Sequence, residues 1–350
     1  MTECQRCSQF PDLESEGDLL FQSKNPKVME LLGGLSSEKM ERQNTVLFRY
    51  KSYNQLEEIM REIEESFANE ELDQVFGTYL SNSNKDMRFV NMTSFPMLHE
   101  RIKNRDYLTI INQRMFTQHM QPIVHLQKEG VFGYEFLLRQ MPQGFSFYPG
   151  ELFSFSQRAG LQSNLDSQAR IASIEVSSKI LKRGIKRFIN FLPSSIYDPT
   201  HCLKSTFQAV EAYNVDPNDL VFEVVETEKI DNIDHLKNIF QTYQDHGINV
   251  ALDDLGSGYA TLDVLKELKP NYAKIDRGLI DYCDQNKEKQ SRIKAIVEIA
   301  QDHGMILLAE GIERIEEAEF CQQLGIPLAQ GYYFGKPSEE PLVQDQVLSL

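Results

Sequence analysis

Residues 248–276 read INVALDDLGSGYATLDVLKELKPNYAKID, and their pattern decides the architecture. An apolar run at 248–255 takes in two adjacent aspartates, a glycine-containing loop and an amphipathic stretch follow, and a second apolar run stands at 272–276. Short buried runs separated by enough chain for a crossover helix predict neighbouring parallel strands. The same unit recurs on both sides, with runs at 120–126, 131–138, 187–192, 220–225, 305–310 and 328–334, eight in all. Eight such strands predict an α/β fold of the TIM type, a (βα) barrel. The first two runs are joined by little more than LQKEG, which suits a hairpin, so one barrel strand is expected to run antiparallel.

Upstream the texture changes near residue 105. Residues 1–105 are thinly supplied with glycine and hold two apolar runs, DLLFQS at 18–23 and TVLFRY at 45–50, each followed by helix-like sequence. Leu56, Ile59, Met60, Ile63, Phe67, Leu72 and Phe76 recur at steps of three to five and predict a helix from Asn54 to Tyr79. A second helical stretch at 97–114 is expected to lead into the barrel. The reading is therefore two domains: a small α/β regulatory or interaction domain at 1–105, and the barrel at 106–350.

The chain has 350 residues, 52 acidic against 36 basic, and a net charge of −16. That balance argues against duplex nucleic acid and anionic lipid as partners, since both need a basic face. No basic-then-apolar leader and no apolar stretch of about 18 residues is present, so neither secretion nor a membrane span is expected. Five cysteines (Cys4, Cys7, Cys202, Cys283, Cys321) are an odd, scattered set that suits a reducing cytoplasm. There is no zinc-protease spacing of histidines and no phosphate-loop motif. GSGYAT at 256–261 is a poor dinucleotide fingerprint, because Thr261 stands at the third small position and two aspartates precede the glycines. Cys4 and Cys7 form a lone C-x-x-C with no second pair to complete a zinc site. Three readings stay open for it: half of a shared or His-completed metal site, a redox pair, or two cysteines at a frayed terminus.

Polar residues interrupt the buried-looking runs in a consistent way: Glu135, Asn190, Glu223, Asp253 with Asp254, Lys274, Glu310 and Gln330. A carboxylate in a barrel strand is costly unless it is paired or binds a metal. Barrel enzymes place their sites where the C-terminal strand ends converge. Carboxylates gathered there suppress one another's ionisation, a conflict that divalent cations resolve. All-oxygen ligation points to Mg²⁺ or Mn²⁺ before Zn²⁺, and the Asp253–Asp254 pair suits bridging two metals in phosphoester hydrolysis. Lys274 would stand beside the metals, orienting the attacking water and offsetting phosphate charge.

YEFLLR at 134–139, INFLPSSIY at 189–197, FEVVETEKI at 222–230, ALDDLGSGYATLDVLKELKPNYAKIDR at 251–277, and LLAEGIE with LAQGYYFGKP between 307 and 337 resemble the EAL-domain cyclic-di-GMP phosphodiesterases in order and spacing. The resemblance covers roughly residues 110–345. It implies a barrel enzyme that linearises cyclic di-GMP to pGpG with two Mg²⁺ or Mn²⁺ ions. By the same resemblance Glu135, Asn190 and Glu223 are ligands of the first metal, Asp253 bridges, and Asp254 and Glu310 lie around the second. Lys274 is the lysine near the nucleophilic water, and Arg139 the arginine that contacts substrate phosphate. Glu226 holds the DDLGSG loop, and Gln330 is a pocket glutamine. A homodimer is expected, because the family often pairs near that loop.

Five positions depart from the family pattern: Phe136, Leu255, Ser257, Gln157 and Arg158. None removes a metal ligand. The alternative reading is a domain that binds cyclic di-GMP as a receptor without cleaving it; a scaffold acting only through protein contacts would leave the polar set unexplained. The N-terminal domain has no recognisable cofactor motif and no cyclase segment, and is expected to serve an unidentified ligand or partner.

Overall fold

The computed structural model describes residues 12–36, 45–81, 92–224, 232–256 and 260–342. Cys4, Cys7, Glu226 and Ser257 lie outside the described residues. The chain divides into two compact units, one of Met1–Phe116 with Gln140–Leu165, the other of Thr117–Arg139 with Asp166–Leu350.

The first unit is built on an antiparallel sheet of β1 (Gly17–Ser23), β2 (Thr45–Tyr50), β3 (Val75–Ser81) and β4 (Thr93–Ser94), in the order β2-β1-β3-β4. Its helices are α1 (Pro26–Leu35), α2 (Tyr53–Ser66), α3 (Asn69–Leu72), α4 (Phe95–Lys103), α5 (Arg105–Asn112) and α6 (Pro149–Arg158). Helix α2 begins where the Ser52 side chain accepts from Gln55 N, and it buries Leu56, Met60 and Ile63. The expected helix to Tyr79 instead stops at Ser66, and its last residues become β3, pairing Phe76 with Gln22 and Tyr79 with Leu19. The segment VFGTY is rich in strand formers, and a Cβ on Gly77 would lie 2.6 Å from the Phe21 ring, so sheet packing overrides the helical spacing. Likewise the stretch at 97–114 is two helices, broken at Asn104 with φ −114° and ψ 48°.

In the second unit β5 (Phe116–His125), β6 (Val131–Gln140), β7 (Lys186–Phe191), β8 (Leu220–Val224), β9 (Asn249–Leu255), β10 (Tyr272–Ile275), β11 (Ile306–Ala309) and β12 (Leu328–Gln330) close into one barrel. Strands β6 to β12 pair in parallel, and β5 pairs antiparallel with β12, as the short first connection predicts. The crossovers are α7 (Gln162–Ile180), α8 (Pro199–Cys202), α9 (Lys204–Ala212), α10 (Ile233–Asp245), α11 (Leu262–Leu268), α12 (Arg277–Ile280), α13 (Lys287–His303) and α14 (Ile315–Gln323). No helix among the described residues is long and apolar enough to cross a membrane.

A layer of side chains closes the barrel interior: Ile123, Phe188, Val221, Ala251, Tyr272, Leu308 and Leu328, with Phe132 against them. The rings of Phe188 and Tyr272 meet edge to face at 5.3 Å. Side chains alternate across a strand, so the residue two positions on shares the inward face. Along the six strands β7 to β12 that residue is Asn190, Glu223, Asp253, Lys274, Glu310, which lies one step past the end of β11, and Gln330. The layer above the apolar plug is therefore polar, on the C-terminal side of the parallel strands.

Candidate active site

Lys274, 1% exposed, stands at the centre of that polar layer. Its Nζ lies 2.7 Å from Glu310 Oε1, 3.0 Å from both Glu223 Oε2 and Asp253 Oδ2, and 3.9 Å from Glu135 Oε1. Burial works to lower the affinity of this ammonium for its proton, but the four carboxylates outweigh it and hold the pKa well above the ordinary lysine value.

Glu135 reaches the same place from β6. Its Oε1 accepts from Asn190 Nδ2 at 3.2 Å and its Oε2 from Gln330 Nε2 at 2.6 Å. Burial raises its pKa, while Lys274 and these two hydrogen bonds overcome that and keep it below the usual carboxylate range. Glu223 is fully buried, and its carboxyl is pushed well above the normal range by burial, with Glu135, Asp253 and Glu310 adding to the effect and Lys274 opposing it. Glu223 Oε2 makes an ion pair with Lys274 at 3.0 Å, while the equally buried Oε1 has no such partner. Burial, then the charge of Asp253, raises Glu310 in the same way.

Adjacent residues in a regular strand face opposite sides, yet Asp253 and Asp254 bring their carboxylates to one place. The reason is a bulge: Leu252 pairs with Ala273 and Leu255 with Ile275, so β9 spends three steps where β10 spends two. Asp254 takes the extra position with φ +53°, a left-handed conformation that aspartate tolerates better than most residues, and its N–H donates to Asp253 Oδ1 at 2.8 Å. Carboxylate oxygens of Asp253, Asp254 and Glu310 consequently fall within 4.8 Å of one another.

The sequence-predicted residues Glu135, Asn190, Glu223, Asp253, Asp254, Lys274, Glu310 and Gln330 are thus brought together. Arg139, four residues beyond Glu135, is half-buried, and its Nη1 donates to the Leu138 carbonyl at 2.9 Å. Burial lowers its pKa, offset in part by Glu135 and Tyr332. It does not line the cavity of about 250 Å³ at the site, which is bounded by Gln121, Glu135, Asp254, Glu310, Gln330 and Tyr332 with Asp276, Arg277 and Glu313. Gln121 and Tyr332 escaped the sequence reading. Gln121 precedes Ile123 by two, and only on a strand that runs backwards does a preceding residue point up into the polar layer. Tyr332, half exposed, carries the Lys336 ammonium 5.2 Å above its ring.

Among the departures, Phe136 and Leu255 pack into the main hydrophobic cluster outside the barrel interior. Arg158 donates to Glu100 Oε1 through Nε and Nη2 at 2.9 and 2.7 Å.

Four carboxyl groups lie within 4 Å of one lysine, Asp254 stands beside two of them, the donors are all oxygen or amide, and a buried Glu223 oxygen is orphaned. That donor set fits hard divalent cations, which would relieve the crowding of charge without requiring protons.

Residues 104–337 match the EAL domain family. The chain is 29% identical over 236 residues to the probable cyclic di-GMP phosphodiesterase PdeG of Escherichia coli K12, a match covering 65% of this chain and 45% of that relative. The chain thus spans under half the length of that relative. Its structure is similar to a standalone versatile EAL protein from Vibrio cholerae O395, solved with c-di-GMP bound, at 33% identity and a TM-score of 0.59 over 64% of this chain and 93% of that one. It is also similar to BlrP1 of Klebsiella pneumoniae in a manganese and cyclic di-GMP complex, at 28% identity and a TM-score of 0.59 over 65% of this chain and 57% of that one.

Proposed function

The chain belongs to the EAL domain family, and on that premise we propose that it hydrolyses cyclic di-GMP to linear pGpG at the rim of its barrel with two Mg²⁺ or Mn²⁺ ions. The observation that carries the reading is the surplus of buried carboxyls around Lys274, with an orphaned oxygen on Glu223. Glu135, Asn190, Glu223, Asp253, Asp254 and Glu310 would hold the ions. When bound, such ions supply an activated water at neutral pH and clamp the attacking and leaving oxygens of the phosphodiester.

The chain's own groups do the rest. Lys274 orients the attacking water and offsets charge on the phosphate, a role supported by its position between Asp253 and Glu310. Water adds to one phosphorus and the P–O3′ bond breaks, leaving a 3′ hydroxyl and a 5′ phosphate. Gln330 holds Glu135 through its amide nitrogen, and its own Oε1 is buried without a hydrogen-bond partner. Arg139 would contact a substrate phosphate, and Glu226 would hold the DDLGSG loop.

The test is incubation with cyclic di-GMP in the presence of Mg²⁺, Mn²⁺ or chelator, with nucleotides separated chromatographically beside Glu135→Ala. Metal-dependent pGpG that vanishes in the variant is expected. Saturable binding without product would favour a receptor, and neither binding nor product would leave only a scaffold. We further infer a cytoplasmic homodimer whose N-terminal domain, residues 1–105, regulates the barrel or recruits a partner; unchanged rate and association state on its deletion would sink that role.

A further inference from the structure

Asn190 sits one residue from the end of β7, and what fixes a strand end fixes the ligand on it. The chain leaves β7 through a single 3₁₀ turn, Pro193–Ser195. That turn is gripped from α7 by Asp166, whose Oδ1 accepts from the Leu192 N–H at 3.0 Å. Ser195 Oγ lies between Asp166 Oδ2 and the Leu192 carbonyl oxygen, 2.7 Å from the latter. Asp166 is 3% exposed and pairs with Arg170, one helical turn on and 1% exposed. Arg170 Nε in turn reaches Thr206 Oγ1 on α9 at 3.4 Å.

A fully buried ion pair is a poor source of net stability, because desolvating both charges offsets most of their attraction. An apolar pair of similar volume would fill the same space. What an apolar pair could not do is accept the Leu192 N–H.

We propose that Asp166 is a positioning residue for the metal centre, holding the β7 exit so that Asn190 meets Glu135, with Arg170 present to balance its charge. The inference rests on the reading of Asn190 and Glu135 as metal ligands. Ligand-orienting hydrogen bonds of this kind govern metal affinity even though they never touch the ion.

The test compares two double variants that both remove the buried ion pair. Asp166→Asn/Arg170→Leu keeps an amide oxygen able to accept from Leu192, and Asp166→Ala/Arg170→Leu does not. Each is titrated with Mn²⁺ by calorimetry and its thermal midpoint recorded. The Asn form is expected to bind within about threefold of the wild-type chain and the Ala form about tenfold or more weaker, the range typical of lost orienting bonds. Arg187→Leu/Asp219→Ala removes the buried pair at the opposite end of β7, where Arg187 Nη1 and Asp219 Oδ2 are 3.2 Å apart, and should leave Mn²⁺ affinity unchanged whatever it does to the midpoint. Equal affinities for the Asn and Ala forms would overturn the proposal and leave Asp166 as packing alone. Absence of Mn²⁺ uptake by the wild-type chain would overturn the metal reading itself, and the two failures are told apart by which protein fails.

Discussion

At residue 274 one ammonium faces four carboxylates within 4 Å, and the charge state of the site follows from it. Removing one partner of a buried charge cluster typically costs about 3–5 kcal/mol, because the groups left behind stay desolvated. Lys274→Met is therefore expected to lower the thermal midpoint of the metal-free protein and to cut turnover by roughly a hundredfold or more, as loss of a preorganised charge at a reacting phosphate does. Mn²⁺ should raise the variant's midpoint more than the wild type's, since the cation supplies the charge that the lysine no longer does. Equal metal-induced shifts in the two proteins would contradict that account. Lys274 and each acidic position were legible in the sequence because a charged residue inside an apolar run is a costly exception that asks for a reason.

Elements decide which way those residues point. The alternation of β7, β8, β10, β11 and β12 makes their inward polar residues readable from period alone. The bulge in β9 is not readable, because it depends on the pairing of Leu252 and Leu255 with the next strand. The direction of β5 was readable from its short connection, but which of its residues enters the polar layer depends on how it lies against its neighbours, and that hid Gln121. The turn after β12 is a third. Gly331 there would place a Cβ 2.0 Å from Ile312 O and 2.3 Å from its N, while Ile312 N donates to Gln330 O at 3.1 Å. Gly331→Ala must push that turn off its neighbour, with an expected loss of about 1–3 kcal/mol, as for other overpacked sites. Because Gln330 moves with the turn, turnover should fall as well. A urea midpoint and kcat both at wild-type values would show that the backbone gives way more cheaply than the contact suggests.

At the scale of the whole molecule the barrel interior is a stack, an apolar plug below and a charged layer above. Tyr272 belongs to the plug, and burial pushes its phenol up to about 12. Burial also raises Tyr50, Tyr79 and Tyr243. Between pH 10, where unfolded tyrosine ionises, and the raised folded value, the unfolded chain binds fewer protons than the folded one, so stability falls as pH rises. The contribution of Tyr272 is intact below pH 10 and is lost by about pH 12, a change of roughly 3 kcal/mol at 1.36 kcal/mol per pKa unit. Denaturant midpoints measured across that window should decline, and less steeply in Tyr272→Phe. An identical decline in both proteins would remove Tyr272 from the explanation.

The sequence by itself determined the eight-stranded barrel, its one reversed strand, and the polar set that becomes the site, because hydrophobic period and the cost of buried charge are properties of the chain read locally. It also carried the family resemblance, in five blocks whose order and spacing survive without any structure. Tertiary structure alone decided that residues 75–79 are a strand and not the end of a helix, since Gly77 must pass against Phe21. It alone brought Asp254 round to Asp253 and Glu310, turned Gln121 into the cavity, and set Asp166 under the exit of β7. These features depend on which strand lies beside which and in what register, and contacts between residues far apart in sequence leave no local periodic trace.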